Sequence, residues 1–186
     1  MVIAIDFDGT IGDANKLKSA WIQENLGLVI PSWQCSYTEC EPIVGAEVHK
    51  PMGDSVYGRE GTLRAEEVAG ALDALRLLSK MATLHVVTAR PESRIPFARE
   101  WLELNSALDC IEAFHSSVGS TKDAICAEIG ASVLIDDDVR HLTESENPGL
   151  TRILLQDGRV DRPDHGPEVV FCNSWEKILE QIDKIS

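Results

Sequence analysis

The sequence predicts an α/β fold: a three-layer, Rossmann-like parallel sheet with a small, mostly helical cap inserted after the first strand. Three observations support this prediction. Short apolar runs alternate with patterns typical of amphipathic helices, which implies parallel strands with helices on both faces of the sheet. The 186-residue length allows one full core and a modest insertion. Polar residues gather where apolar runs end, and open α/β sheets bind ligands at that edge.

The first predicted element is a strand over residues 2–5. Its apolar run, Val-Ile-Ala-Ile, is typical of a buried parallel strand. The run ends abruptly in Asp6 and Asp8. Burial of apolar surface does not explain these acids, because unpaired buried carboxylates are costly. The simplest interpretation is a strand that delivers two carboxylates to a reaction site.

The predicted cap follows this strand. Asp13 is a candidate N-cap for a helix that Gly27 would end. The pattern then becomes irregular, with prolines and glycines but without an internal repeat. We therefore expect a small cap at residues 13–64 and a core domain built from residues 1–12 and 65–186.

Regular alternation resumes after the cap. Apolar residues at helical spacing predict helices, and short apolar runs predict strands. The predicted elements are a helix through Val68, Leu72, Leu75 and Leu78, a strand over 83–87, a helix over 97–104, a strand over 111–114, a helix over 122–129, strands over 132–135, 151–155 and 169–171, and a last helix after Ser174.

Composition and charge exclude several classes of function. The formal net charge of -14 disfavours a nucleic-acid polymer as a partner, whereas a small phosphorylated metabolite is compatible if local cations or a metal offset the charge. No apolar stretch reaches the ~18 residues of a membrane span, so we expect no membrane partner. The first apolar run is too short for a signal peptide, and a cytoplasmic location is the expectation. Five scattered cysteines indicate reduced thiols and disfavour zinc.

Four parts of the sequence carry the candidate chemistry. They are the pair Asp6 and Asp8, Thr88 at a strand end, Lys122 at a helix start, and the pair Asp136 and Asp137 at another strand end. Clustered carboxylates repel one another, and Mg²⁺ suits a few carboxylates together with water and phosphate. A lysine and a hydroxyl can hold the remaining phosphate oxygens. The set therefore predicts phosphoryl transfer.

In this order along the chain, the four parts resemble a known family. DFDGT, VVTAR, the lysine and VLIDDD are similar to the four motifs of the haloacid dehalogenase-like (HAD) hydrolase superfamily. The resemblance implies that Asp6 is the nucleophile that becomes an aspartyl-phosphate and that Asp8 is the general acid/base. It implies that Thr88 binds the transferring phosphoryl group and that Lys122 holds phosphate and nucleophile. The acid at position 8 disfavours dehalogenation, because the family's dehalogenases lack it.

The resemblance also implies a Mg²⁺ site. Asp137 is the expected direct ligand, and Asp136 is expected to support the ion through water. Asp6 and the backbone carbonyl of Asp8 complete the expected set. Asp138 leaves the register of this acidic run open, since it could instead cap the next helix.

Substrate contacts are expected at two turns. Gly9 allows a sharp turn, so that the following backbone N–H groups, including that of Thr10, can face phosphate oxygens. Ala89 and Arg90 follow the middle strand and are the other candidates. Arg90 and Arg94 could reach a substrate phosphate or base, or could equally pair with surface carboxylates.

The sequence therefore predicts a Mg²⁺-dependent phosphomonoester hydrolase acting on a small soluble phosphate ester. The short cap and the VLIDD ending are similar to the family's 5'-nucleotidase branch, so a nucleoside monophosphate is the first expected substrate and a sugar phosphate the next. Phosphotransfer to an acceptor other than water stays open, as does the oligomeric state. The alternatives are a phospho-aspartate signalling module like a response-regulator receiver domain and a catalytically silent binding relative.

Overall fold

The computed structural model describes residues 1–166 and 168–185, and six strands within them form one sheet. The strands are β1 (Val2–Ile5), β2 (Thr83–Thr88), β3 (Ala113–Ser116), β4 (Val133–Asp136), β5 (Thr151–Leu155) and β6 (Val169–Cys172). Their order is β3-β2-β1-β4-β5-β6, and every neighbouring pair is parallel. The predicted α/β class is confirmed. The order reverses between β1 and β4, where such sheets bind ligands.

Helices connect most of the consecutive strands. The α-helices of the described residues are α1 (Ala14–Leu26), α2 (Tyr37–Val44), α3 (His49–Val56), α4 (Arg59–Arg64), α5 (Ala71–Leu78), α6 (Ile95–Leu104), α7 (Lys122–Ile129), α8 (Val139–Thr143) and α9 (Trp175–Ile185). Short 3₁₀ turns lie at Ser32–Cys35, Ala46–Val48, Glu92–Arg94 and Leu108–Cys110.

Local sequence explains where the helices that carry site residues begin and end. The Asp13 side chain accepts a hydrogen bond from the backbone N–H of Lys16 at 2.8 Å, and Gly27 ends α1 with a φ of 68°. These are the two ends predicted for this helix. Helix α7 begins after Thr121, whose hydroxyl accepts from the N–H of Ala124 at 3.1 Å. Both caps satisfy N–H groups that have no partner inside the helix.

Three elements differ from the prediction. Strand β3 lies two residues later than the predicted strand over 111–114, because a 3₁₀ turn at Leu108–Cys110 delays its start. Helix α5 begins at Ala71, since Gly70 before it has a left-handed φ of 81°. Helix α8 was expected only as the helix that Asp138 could cap; its five residues are too few to show a helical period. Pro167 and Ser186, which the predicted core range includes, lie outside the described residues.

The sheet separates two apolar layers, and β1 contributes to both. Ile3 and Ile5 face a cluster that includes residues of α5, α6 and α9, whereas Ala4 faces a cluster that includes residues of α7 and α8. This alternation follows from the two-residue period of a strand. The sheet therefore lies between two helical layers, which is the predicted three-layer arrangement.

Helices α1 to α3 contribute to a third apolar cluster. Its buried residues include Ile22, Cys40, Val44, Met52 and Val56. Helices α1 to α4 fall within the range predicted for the cap, and we call residues 13–64 the cap below. None of the described helices combines the length and apolar character needed to cross a membrane.

Candidate active site

Three strand ends and one helix start bring the predicted site residues together. β1 leads into Asp6, β2 ends at Thr88, and β4 ends at Asp136. These strands are neighbours and parallel, so their carboxyl ends meet at one edge of the sheet. Helix α7 begins with Lys122 at the same edge. Residues more than 100 positions apart in the sequence therefore lie around one point.

The buried Lys122 ammonium group lies between two acids. Its Nζ donates to Asp6 Oδ1 at 2.5 Å and to Asp136 Oδ2 at 2.6 Å, and all three side chains are buried. The other oxygen of Asp136 accepts from the backbone N–H of Asp138 at 3.0 Å. Asp136 thus has hydrogen bonds on both carboxylate oxygens.

Asp137 is the third buried acid at this edge. Its Oδ2 accepts a hydrogen bond from the Asn15 amide nitrogen at 2.5 Å, and Asn15 lies on the first cap helix. Oxygens of Asp6, Asp136 and Asp137 lie within 4.8 Å of one another. We call these three residues the acid cluster.

Burial and crowding raise the pKa values of the acid cluster. Burial is the largest cause for each of the three carboxyl groups. The Lys122 ammonium opposes this effect at Asp6, whose pKa nevertheless rises to about 6, with the charges of Asp136 and Asp8 contributing. The pKa of Asp137 rises well above its usual value. Burial therefore disfavours the charged forms of all three carboxyl groups, and repulsion by neighbouring acids adds to this at Asp6 and Asp137.

The donor set of the acid cluster fits a hard divalent cation. Three carboxylate oxygens within reach of one ion match the preference of Mg²⁺ for oxygen ligands. A dication would also offset the repulsion that raises these pKa values. His and Cys, which softer metals prefer, are absent from this group within the described part of the chain.

Asp138 does not join the acid cluster. Its side chain accepts from the backbone N–H of Arg140 at 3.0 Å, as an N-cap of α8. It also accepts from the hydroxyl of the cap residue Thr38 at 2.6 Å. Although burial opposes the charged form, these contacts and the Arg140 charge lower the pKa of Asp138. Within the acidic run, Asp136 and Asp137 belong to the acid cluster, whereas Asp138 caps α8.

Asp8 is paired with Arg90 across the site. Arg90 donates from Nε to Asp8 Oδ2 and from Nη2 to Asp8 Oδ1, both at 2.7 Å. Nη1 donates to the hydroxyl of the cap residue Thr62 at 2.8 Å. Of the two sequence alternatives for Arg90, the structure shows a carboxylate partner, and that carboxylate belongs to the site and not to the surface. Arg94 pairs with Asp54 of the cap at 3.0 Å.

Thr88, Gly9 and Thr10 occupy different positions relative to the site. The Thr88 hydroxyl lies at the cavity and accepts from the backbone N–H of Arg90 at 3.2 Å. The N–H of Gly9 donates to the Gly12 carbonyl at 2.8 Å, so it is already used within the turn. Thr10 is fully buried. Neither Gly9 nor Thr10 belongs to the residues that line the cavity, whereas Ala89 and Arg90 do.

A cavity of about 250 Å³ joins these groups. The core provides its acidic floor, and the cap contributes Lys18, Ser36, Tyr37 and Tyr57. The charged residues that line it are Asp6, Asp8, Asp136, Asp137, Asp138, Lys18, Arg90, Arg94, Lys122 and Arg140. His141 also lines it, and burial lowers the pKa of this imidazole to about 4. The volume suits a small ligand.

Sequence reasoning missed Lys18, which lines the cavity from the cap. Lys18 is buried, and its Nζ donates to Asn15 Oδ1 at 2.9 Å. The spacing of residues in the sequence places Lys18 on the same helix face as Ala14 and Ile22, four residues away on either side. In the structure all three residues are buried. A lysine on the apolar face of a helix indicates a buried cation with a partner.

The cysteines are free in the described structure. Cys35, Cys40, Cys126 and Cys172 are buried, and Cys110 is partly buried. Burial raises the pKa of Cys126 to about 12. They form no metal-binding group within the described residues.

Comparison with solved structures places the fold. A haloacid dehalogenase-like hydrolase from Streptococcus pneumoniae superposes with a TM-score of 0.66 at 15% identity, over 97% of each chain. The fold is that of the haloacid dehalogenase-like hydrolases. A HAD hydrolase from Bacillus subtilis bound to magnesium gives 0.61 at 15% identity over 98% of each chain. A dehalogenase gives 0.62 at 10% identity, over 97% of this chain and 96% of that one. No protein-family model and no curated protein matches the chain.

Proposed function

We propose that this protein is a Mg²⁺-dependent phosphomonoester hydrolase that acts through a phosphoryl group on Asp6. The observation that carries the proposal is the position of Asp6. Its carboxylate lies at the cavity floor, contacts Lys122 and belongs to the acid cluster. A carboxylate is a weak nucleophile in bulk water, and a neighbouring cation with fixed orientation makes it effective.

Each proposed step has a residue in place. An oxygen of Asp6 attacks phosphorus, the bond from phosphorus to the ester oxygen breaks, and Asp8 gives that oxygen a proton. A water molecule then attacks phosphorus, Asp8 takes a proton from it, and phosphate leaves with Asp6 restored. Lys122 and the Thr88 hydroxyl hold phosphoryl oxygens during both displacements.

The metal would be held mainly by the acid cluster. Asp137 supports a direct contact better than Asp136, because both oxygens of Asp136 already accept hydrogen bonds. The backbone carbonyl of Asp8 and the Asp6 carboxylate complete the proposed ligands. When bound, Mg²⁺ supplies positive charge to the phosphoryl oxygens and to the crowded acids.

Arg90 would orient the general acid/base. Its guanidinium holds both Asp8 oxygens, and Thr62 of the cap holds the guanidinium. Before Asp8 can donate a proton to a leaving oxygen, one of these two contacts must open. Arg90 therefore has a proposed role both at Asp8 and, after that opening, at an anionic substrate.

Phosphate-ester hydrolysis accounts for the site better than dehalogenation, although one structural neighbour is a dehalogenase. Displacement of a halide from carbon needs no proton donor for the leaving group and no divalent cation. Asp8 and the acid cluster would then have no use. The proposed substrate is a small phosphorylated metabolite, first a nucleoside monophosphate, since Tyr37 and Tyr57 line the cavity and could stack on a base.

Turnover of p-nitrophenyl phosphate tests the proposal. We expect steady release of p-nitrophenol with Mg²⁺, loss of activity in EDTA, and no turnover by Asp6→Asn with an intact fold. A panel of nucleoside and sugar monophosphates then ranks substrates. A single stoichiometric burst without turnover would indicate a phospho-aspartate signalling module instead. Normal turnover by Asp6→Asn would refute the assignment of the nucleophile.

A further inference from the structure

The first cap helix reaches the acid cluster through two polar side chains. Lys18 Nζ donates to Asn15 Oδ1 at 2.9 Å, and Asn15 Nδ2 donates to Asp137 Oδ2 at 2.5 Å. All three side chains are buried. Asn15 and Asp137 are 122 positions apart in the sequence, so this contact joins the cap to the core at the site itself.

The direction of these hydrogen bonds is fixed by chemistry. A lysine ammonium group only donates, so it must face the oxygen of the Asn15 amide. The NH₂ group of Asn15 then points at Asp137, which as a carboxylate only accepts. A second acceptor, the backbone carbonyl of Cys35 at 3.0 Å, holds the ammonium in place. The Asn15 amide therefore has one orientation.

Gly9 provides the space for this contact. A Cβ at this position would collide with both Asn15 Nδ2 and Asp137 Oδ2. Gly9 also has a φ of 85°, which favours glycine. The turn after β1 thus lies directly against the hydrogen bond between the cap and the acid cluster.

We propose that Lys18 and Asn15 are positioning residues that hold the Asp137 carboxylate ready for a divalent cation. This inference rests on the proposed function, since it concerns the same metal site. Without Asn15, Asp137 would be free to rotate away from the neighbouring acids of its cluster. Partners that orient a metal-binding side chain in this way typically change metal affinity 10- to 100-fold.

The inference also gives the cap a task beyond covering the cavity. Helix α1 carries both positioning residues, and its orientation is fixed within the cap by packing of residues such as Ile22. A displacement of α1 would remove Asn15 from Asp137. Metal affinity and cap position are thus coupled through one hydrogen bond.

A titration of the protein with Mn²⁺ in the absence of substrate tests the proposal. The EPR signal of the free ion measures how much Mn²⁺ remains unbound. Mn²⁺ takes the same oxygen ligands as Mg²⁺. We expect Asn15→Ala to weaken binding by about 10- to 100-fold and Lys18→Met to weaken it by less, because the amide remains. Lys16→Met is the matched control: Lys16 lies on the same helix, but is exposed and paired with Glu66. It should bind Mn²⁺ like the wild type.

Kinetics separate a positioning role from a general structural one. For Asn15→Ala, the Mg²⁺ concentration that gives half-maximal turnover should rise, while kcat at saturating Mg²⁺ stays near the wild-type value. If Asn15→Ala fails to fold, Lys18→Met still carries the test. Wild-type Mn²⁺ affinity in a folded variant of either residue overturns the inference alone. A wild-type protein that neither binds Mn²⁺ nor hydrolyses phosphate esters overturns the proposed function instead.

Discussion

Two buried lysines lie on opposite sides of the acid cluster, and they reach it in different ways. Lys122, from the core helix α7, contacts the carboxylates of Asp6 and Asp136 directly. Lys18, from the cap helix α1, donates to the neutral amide of Asn15 and to a backbone carbonyl. Both lysines place positive charge near the acid cluster, but only Lys122 contacts its carboxylates, whereas Lys18 fixes the orientation of a neighbouring amide.

This difference affects how much each lysine contributes to the stability of the folded protein. Burial disfavours the charged form of both, yet the nearby acids keep the pKa of Lys122 above its usual value, and Tyr57 and Asp137 do the same for Lys18. Both are therefore cations at neutral pH. Removing Lys122 leaves two buried carboxylates without their partner, whereas removing Lys18 leaves an amide oxygen and a carbonyl, which cost less to leave unpaired.

Lys122→Met should have the largest effect. Breaking a buried ion pair typically costs about 3–5 kcal/mol, so we expect the free energy of unfolding to fall by about that amount without divalent cations. Turnover of p-nitrophenyl phosphate should fall at least ~10²–10³-fold, as when one charge-stabilising donor is lost. Urea unfolding with and without Mg²⁺ measures the first effect, and Mg²⁺ should restore part of the stability because it binds the same acids.

Two further variants complete this test. Lys18→Met should lower the free energy of unfolding by a smaller amount, about 1–3 kcal/mol. Lys177→Met, at an exposed ion pair with Glu180, should leave it near the wild-type value. Equal losses for Lys122→Met and Lys18→Met would remove the distinction between the two sides of the site.

Gly9→Ala should have the next largest effect, and it tests the cap side. A left-handed backbone costs a non-glycine residue about 1–2 kcal/mol, and the collision with Asn15 and Asp137 adds roughly 1–3 kcal/mol of overpacking. Gly119→Ala is the matched control, because it has the same φ of 85° and open space around a Cβ. Only Gly9→Ala should also weaken Mn²⁺ binding. If Gly9→Ala and Gly119→Ala lost similar amounts of stability and of Mn²⁺ affinity, the contact with Asp137 would not matter.

Much of the core could be predicted from the sequence, because its signals are local. The apolar run of β1 and the acids that follow it set the first strand end, and Asp13 and Gly27 set both ends of α1. Because strands alternate with helices along the chain, the strands are parallel, and their carboxyl ends lie at one edge of the sheet. The residues at those ends are the ones predicted for the site.

The cap side could not be predicted in the same way. The contact between Asn15 and Asp137 depends on how α1 lies over the sheet, and no local pattern encodes that position. The same is true of Arg90, for which a substrate and a carboxylate partner were equally open until the structure paired it with Asp8. Gly9 and Thr10, the candidates for substrate contact at the first turn, do not line the cavity.

Apart from the surface control Lys177→Met, Thr38→Val should have the smallest effect, and it separates two contacts between cap and core. Thr38 of the cap donates its hydroxyl to Asp138, which lies outside the acid cluster. Losing this hydrogen bond should lower the free energy of unfolding by about 1 kcal/mol, as thermal unfolding would measure, while Thr38→Ser should retain most of it. Mn²⁺ affinity should stay at the wild-type value, since Asn15 still holds Asp137. If Thr38→Val weakened Mn²⁺ binding as strongly as Asn15→Ala, any loosening of the cap would suffice, and the acid cluster would not depend on one oriented amide.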